Sequence, residues 1–192
     1  MRNKSIFIPV NKTGCTSLRD VVQDYSMICI YRHKTSPMTE KSFIRRDSID
    51  NQTWEMSYKY AIARNPFDRV VSGWKDKIKN KCFNDFIVED LVGFDVDNNT
   101  FDAHTNFIVH HFSSLLNPKY HMKELDFIGR FENLQEDFNI VCDKIKIPRQ
   151  QLPHKNKTKH KHYTEYYDDE AKEIVAAKFA KDIEYFGYKF GE

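Results

Sequence analysis

The segment FIPVNKTGCTSLRDVV, Phe7 to Val22, constrains the fold more than any other stretch of the chain. A short apolar run passes through a polar turn holding a lysine and a glycine, then enters an apolar-periodic segment. This is the layout of a strand, a loop and a helix N-terminus. Such a junction makes an anion site, because the first helical N–H groups have no main-chain partners and the helix dipole is positive there. Lys12 adds a mobile positive charge, Gly14 permits close backbone approach, and Thr13, Thr16 and Ser17 add hydroxyl donors. Lys12 precedes Gly14, so the G-x-x-x-x-G-K-[ST] order of nucleotide-binding loops is absent. Taken alone, the segment reads equally as a glycine-containing turn with a capping Thr or Ser.

Along the rest of the chain, strands alternate with helices. Strands are expected at Ile6 to Val10, at Met27 to Tyr31 (MICIY, apolar enough to be buried on both faces), at Tyr58 to Ala63 and at Leu125 to Gly129. Helices are expected from about Thr16 to Tyr25, and from Asn65-Pro66 to about Lys79, with proline in the first turn. Ala103 to Leu116 reads as a helix stopped by Asn117-Pro118, and FENLQEDFNIVCDKI as one ended by Pro148. In DDEAKEIVAAKFAKDIEYFG, Val175, Phe179, Ile183 and Phe186 keep helical spacing and Gly187 is placed to cap. Residues 82–102 read as a short helix and a loop, and 149–163 as a basic, histidine-containing loop. The alternation predicts an α/β fold: a P-loop-like three-layer domain, mostly parallel sheet with helices on both faces. A length of 192 residues suits one domain spanning 1–192.

Composition removes several classes. Hydrophobic residues at 40% support a buried core rather than a disordered chain. A formal charge of +2 argues against a protein that coats nucleic acid. No window approaches the ~18 apolar residues of a membrane span, and no signal-peptide pattern follows Met1. The four cysteines are far apart, without a C-x-x-C pair, and read as reduced thiols, which favours the cytoplasm. His104 and His110 would diverge by roughly 240° on a helix and have no partner ligands, so no metal site is expected.

A second segment, YAIARNPFDRVVSGW, Tyr60 to Trp74, adds weight to the anion reading. A strand delivers Arg64 at its carboxyl end, where ligands bind in doubly wound sheets, and Ser72 follows on the next helix. A planar guanidinium grips phosphate bidentately, and a serine donates to the same group. Asp68 and Arg69 read equally as an ordinary helix ion pair, which leaves the alternative open. Together, KTGCTSL and RNPFDRVVS resemble the sulfotransferase superfamily. DFIGRFENLQEDFNIVCDKIKIP and LPHKNKTKHKHYTEYYDDEAKEIVAAKFAKDIEYFGYKF are similar to its carbohydrate branch. The resemblance runs from Ile6 to Phe190 and is thin between Thr35 and Ser57 and between Lys79 and Phe101. Two departures stand out: Val10 and Asn11 separate Pro9 from Lys12, and the short chain is expected to do without the membrane anchor and stem of Golgi-resident relatives.

The resemblance implies transfer of the sulfuryl group of 3′-phosphoadenosine 5′-phosphosulfate (PAPS) to an acceptor hydroxyl, most readily on a carbohydrate, leaving PAP. By resemblance, Lys12 contacts the leaving phosphate and bridging oxygen. Thr13, Gly14, Cys15, Thr16 and Ser17 hold the 5′-phosphate, and Arg64 and Ser72 hold the 3′-phosphate. Lys157 and Thr158 belong to a flap over the nucleotide, although the strip Lys155, Lys157, Lys159 and Lys161 also reads as a solvated loop or a docking strip for an anionic glycan or nucleic acid. His33, just past the second strand, is the first candidate for the base, and His104 in FDAHTNF is its rival. Glu132 and Asp137 read as helix-start residues, with Glu132 also placed to orient an acceptor; Trp74 and Tyr163 read as core or as stacking platforms. A nucleotide kinase is the alternative enzyme, disfavoured because the strands end in Tyr31-Arg32-His33 and Ala63-Arg64 without a metal-binding acid. A non-catalytic nucleotide- or nucleic-acid-binding protein is the third reading. No metal is implied, and oligomeric state stays open.

Overall fold

The apolar run after Lys4 is a strand with no exposed face. β1 (Ser5–Ile8) is buried at every position, as a central parallel strand must be. The computed structural model describes residues 4–25, 28–30, 43–44, 48–78, 80–93, 115, 121–153 and 161–192. The chain divides into two compact units, Met1–Ala63 with Met122–Lys157, and Arg64–His121 with Thr158–Glu192.

The first unit is built on a five-stranded sheet of order β3-β2-β1-β4-β5. Its remaining strands are β2 (Ile28–Ile30), β3 (Phe43–Ile44), β4 (Tyr58–Ala63) and β5 (Phe127–Arg130). Every pairing is parallel, with Phe7 opposite Cys29 on one side and Tyr60 on the other, and Ala63 opposite Arg130. The chain moves outward from β1 through β2 to β3, then returns to the other side of β1 for β4 and β5. The strand order therefore reverses between β1 and β4, where doubly wound sheets open a crevice at their carboxyl ends. The α/β expectation and its strands are met within a residue or two at each end.

Three helices flank this sheet: α1 (Cys15–Asp24), α2 (Asn51–Met56) and, later in the chain, α5 (Leu134–Ile145). Phe7, Leu18, Tyr60, Ile62, Phe138 and Val141 form the core that α1 and α5 share with the sheet. β3 and α2 were not anticipated. α2 exists because Asp50 caps it, accepting from Thr53 N at 2.8 Å, and because Trp54 is buried with its indole donating to Glu124 at 3.0 Å. α5 ends earlier than Pro148, at a left-handed Lys146 with φ 60°.

The second unit is helical: α3 (Pro66–Lys77), α4 (Phe83–Asp85) continuing as a π-helix over Phe86–Leu91, a 3₁₀ turn at Tyr163–Tyr166, α6 (Asp169–Lys178) and α7 (Ala180–Phe186). Phe67, Val70, Val71, Phe86, Ile87, Val175 and Phe179 make its core. The single C-terminal helix expected from spacing is two helices, broken at Phe179 with φ −108° and ψ 22°. Phe179 is buried with its ring 5.4 Å from the guanidinium of Arg69, so the break lies at a packed side chain rather than at a glycine or proline. Gly187 caps α7 at φ 67°, as expected. The expected helix at 103–116 lies outside the described residues except for Leu115, whose N–H donates to Asp182 at 2.7 Å.

None of the four cysteines forms a disulfide, and burial raises the pKa of the Cys142 thiol. Among the described residues, no helix is long and apolar enough to cross a membrane, and no three metal-ligating side chains gather.

Candidate functional site

The turn Asn11–Gly14 joins β1 to α1, and its backbone is unusual. Lys12 has φ 66° and Gly14 φ 77°, while Thr13 between them stays at negative φ. Alternating left- and right-handed residues turn successive N–H groups toward one side, which makes an anion-binding concavity. Gly14 is at a position where a side chain is strained by φ alone. An added Cβ would also meet Leu134 Cδ2 at 2.8 Å and the Phe131 ring at 3.2 Å. The start of α5 and the 3₁₀ turn before it thus brace the loop. Gly14 O accepts from Ser17 N at 3.1 Å and Leu18 N at 3.3 Å, and the fully buried Leu18 anchors α1 in the core. The first turn of α1 contains no acid to compete with an anion.

Within this loop the side chains divide. Thr13 is fully buried and its hydroxyl donates back to Val10 O at 2.9 Å, so it closes the turn and offers its main-chain N–H. Ser17 is buried, while Lys12, Gly14, Cys15 and Thr16 are half-buried at the loop and helix start.

Arg64 follows the last residue of β4 and opens the second unit. α3 is started by Asn65, whose side chain accepts from Phe67 N at 3.1 Å, and by Pro66 in the first turn. Asn65 Nδ2 also donates to Lys189 O at 2.9 Å. The Tyr163 hydroxyl accepts from Gly191 N at 2.6 Å and donates to Glu192 O at 3.1 Å. Asn65, the Tyr163 hydroxyl and the segment from Lys189 to Glu192 are thereby joined around the start of α3. Arg64 is only 6% exposed, and both Nε (2.9 Å) and Nη2 (2.8 Å) reach Asp68 Oδ2. The expected Asp68–Arg69 pair does not form. Neighbours in a helix point apart, whereas residues four apart face each other. Arg69 instead lies 3.8 Å from Asp182, with both side chains in the interior. Ser72 is half-buried one turn beyond Asp68, on the same side of α3.

The structure therefore places Lys12 to Ser17 in the first unit, and both Arg64, just ahead of α3, and Ser72, on α3, in the second. His33, His104, Lys157 and Thr158 lie outside the described residues. Trp74 is a packing residue, its indole donating to Lys81 O at 3.0 Å and its ring set against Phe83. Tyr163 is buried and hydrogen-bonded, which fits its core reading. Glu132 is exposed in the 3₁₀ turn, and Asp137 accepts from Arg130 N in the first turn of α5. The sequence reading missed Asp68 as the partner of Arg64 and Asn65 as a clamp, although N-P at a helix start signals the cap.

No curated protein matches the chain. Among solved structures, a crystal structure of a sulfotransferase from Alicyclobacillus acidocaldarius aligns at 14% identity over 96% of this chain and 94% of that one, with a TM-score of 0.48. The family model described as the sulfotransferase family matches residues 2–189, taking in both the phosphate-type loop and the R-N-P-F-D-R-x-x-S block. That match covers nearly the whole chain, which belongs to the sulfotransferase family and is a sulfuryl-transferring enzyme.

Proposed function

We propose that this enzyme transfers the sulfuryl group of PAPS to a carbohydrate hydroxyl, as a single working domain over residues 1–192. The observation that carries the reading is the alternation of φ sign at Lys12, Thr13 and Gly14, directly ahead of an acid-free helix start. The N–H groups from Thr13 to Thr16 receive the 5′-phosphate, with hydroxyl help from Thr16 and Ser17. Lys12 neutralises charge as it accumulates on the bridging oxygen and leaving phosphate. A sulfuryl group carries less negative charge than a phosphoryl group, so a lysine and main-chain amides supply this stabilisation without a metal. Arg64 and Ser72 receive the 3′-phosphate, and Lys157 and Thr158 cover the nucleotide. The acceptor proton goes to a histidine, His33 first and His104 as the rival. Cysteines outside any disulfide fit a reducing compartment, and we place the enzyme in the cytoplasm.

The test is PAP release from PAPS across glycans, lipids, phenols and peptides, repeated with Lys12→Ala, His33→Ala and His104→Ala. Glycans should lead the panel. Lys12→Ala should cost on the order of 10²-fold or more, and loss of the base roughly 10²- to 10⁴-fold with PAP affinity retained. Turnover of phenols alone would overturn the acceptor class. Full activity in both histidine variants would remove the histidine base, and full activity in Lys12→Ala would remove the loop from the chemistry.

A further inference from the structure

Arg64 is held by a carboxylate of its own unit. Two of its nitrogens reach one carboxylate oxygen of Asp68, at 2.9 and 2.8 Å, and Asp68 is itself largely shielded, its side chain 18% exposed. Asp68 sits in the first turn of α3, and that turn is fixed from several directions. Asn65 caps it, and the Tyr167 hydroxyl donates to Phe67 O at 2.9 Å. The Phe67 ring meets Tyr167 and Phe190 edge-on, with centroids 5.7 and 5.0 Å away. Tyr167 feels the acid: burial first, and the charge of Asp68 second, push its phenol well above the ordinary range. A carboxylate beside a phosphate-gripping arginine is unfavourable on charge alone, since it repels the incoming anion. A long side chain, however, loses rotamer freedom when it grips a ligand, and a partner that has already ordered it removes that cost.

We propose that Asp68 is a positioning residue for the nucleotide, setting the plane of the Arg64 guanidinium against the first turn of α3 so that the fork is ordered before the 3′-phosphate arrives. The proposal rests on the reading that Arg64 binds that phosphate. It makes a prediction opposite in sign to simple electrostatics. If repulsion dominated, Asp68→Ala would bind PAP more tightly; if positioning dominates, it binds PAP more weakly despite the lost negative charge.

The experiment is calorimetric titration of PAP and of adenosine 5′-phosphosulfate, which lacks the 3′-phosphate, into wild type, Asp68→Ala, Asp68→Asn, Arg64→Ala and the Arg64→Ala/Asp68→Ala double variant. Thermal unfolding of each variant is recorded alongside. Asp68→Ala should lose about 10-fold in PAP affinity and leave adenosine 5′-phosphosulfate within about twofold. Asp68→Asn keeps the size and an acceptor oxygen. It should lose less, and it serves as the decisive variant if alanine lowers the unfolding temperature. In the Arg64→Ala background, Asp68→Ala should cost nothing further. Unchanged or tighter PAP binding in both Asp68 variants overturns the proposal, as does an equal loss with and without Arg64. If wild type binds both ligands equally, the 3′-phosphate reading of Arg64 itself fails and Asp68's role falls with it. That result is separate from wild type preferring PAP while the Asp68 variants are silent.

Discussion

Lys12 carries a side chain at a backbone position that favours glycine. At φ 66° its Cβ crowds the following carbonyl, which costs roughly 1–2 kcal/mol. Such a cost persists only where the surroundings over-determine the conformation, here through the Thr13–Val10 hydrogen bond and the anchoring of α1 by Leu18. Lys12→Gly should therefore raise stability, by about 0.5–1 kcal/mol after glycine's own unfolded-state entropy, or an unfolding temperature higher by about 1–4 °C. The same variant should lose transfer activity to the extent expected of Lys12→Ala. Scanning calorimetry beside a turnover assay checks both halves, and a lower unfolding temperature would show that the lysine side chain, not its charge chemistry, holds the loop. The lysine was legible from the sequence as a charge beside a helix start. Its strain was not, because no residue pattern marks a non-glycine left-handed position. Asp68 was visible too, but only the adjacent Arg69 was weighed as its partner, and Arg64 four residues back was read for phosphate alone.

At the scale of elements, Gly129 sets how closely α5 approaches the sheet. A Cβ there would meet Ile62 Cδ1 at 2.8 Å, Asp137 Cβ at 3.0 Å and Phe127 Cε1 at 3.1 Å. Its φ is not positive, so the constraint is steric rather than conformational. Gly129→Ala should cost about 1–3 kcal/mol as overpacking. It should also reduce turnover, because Leu134, in the same first turn as Asp137, is the side chain that meets Gly14 of the phosphate loop. Ile62→Val removes the nearest atom, so the Gly129→Ala/Ile62→Val double variant should be more stable than the two single losses added together. Strict additivity in denaturant unfolding would assign the crowding to Asp137 instead. The long elements were legible because their burial repeats: β4 is buried on both faces, with Lys59 its one charged residue, and α5 buries Phe138, Val141, Cys142 and Ile145. β3 has two residues and α2 buries only Trp54, too little for any period to appear. The break at Phe179 escaped notice because the apolar spacing continues through it.

At the scale of the whole molecule, each unit places a tyrosine where its phenol resists ionisation. Tyr60 is fully buried in the core of the first unit, and burial holds its pKa well above the usual range, with smaller contributions from Cys29, Cys142 and Tyr58. In the second unit Tyr167 is raised in the same direction by burial and then by Asp68. An unfolded tyrosine ionises near pH 10, so above that pH the unfolded chain binds fewer protons than the folded one. The stability contributed by each buried phenol is thus complete below about pH 10 and is lost as pH rises toward the higher folded value. Alkaline unfolding followed by phenolate absorbance and circular dichroism should show this fall. Tyr60→Phe should flatten the alkaline limb, since phenylalanine has nothing to ionise. Tyr167→Phe should flatten it as well, while losing the hydrogen bond to Phe67 O, worth about 0.5–1.5 kcal/mol at neutral pH. If residues 1–192 act as a single domain, the two substitutions move one shared transition and all probes coincide. Two separated transitions, each shifted by only one substitution, would show instead that the parallel-sheet unit and the helical unit unfold on their own. An alkaline limb unchanged in both variants would mean that other groups govern the loss of stability.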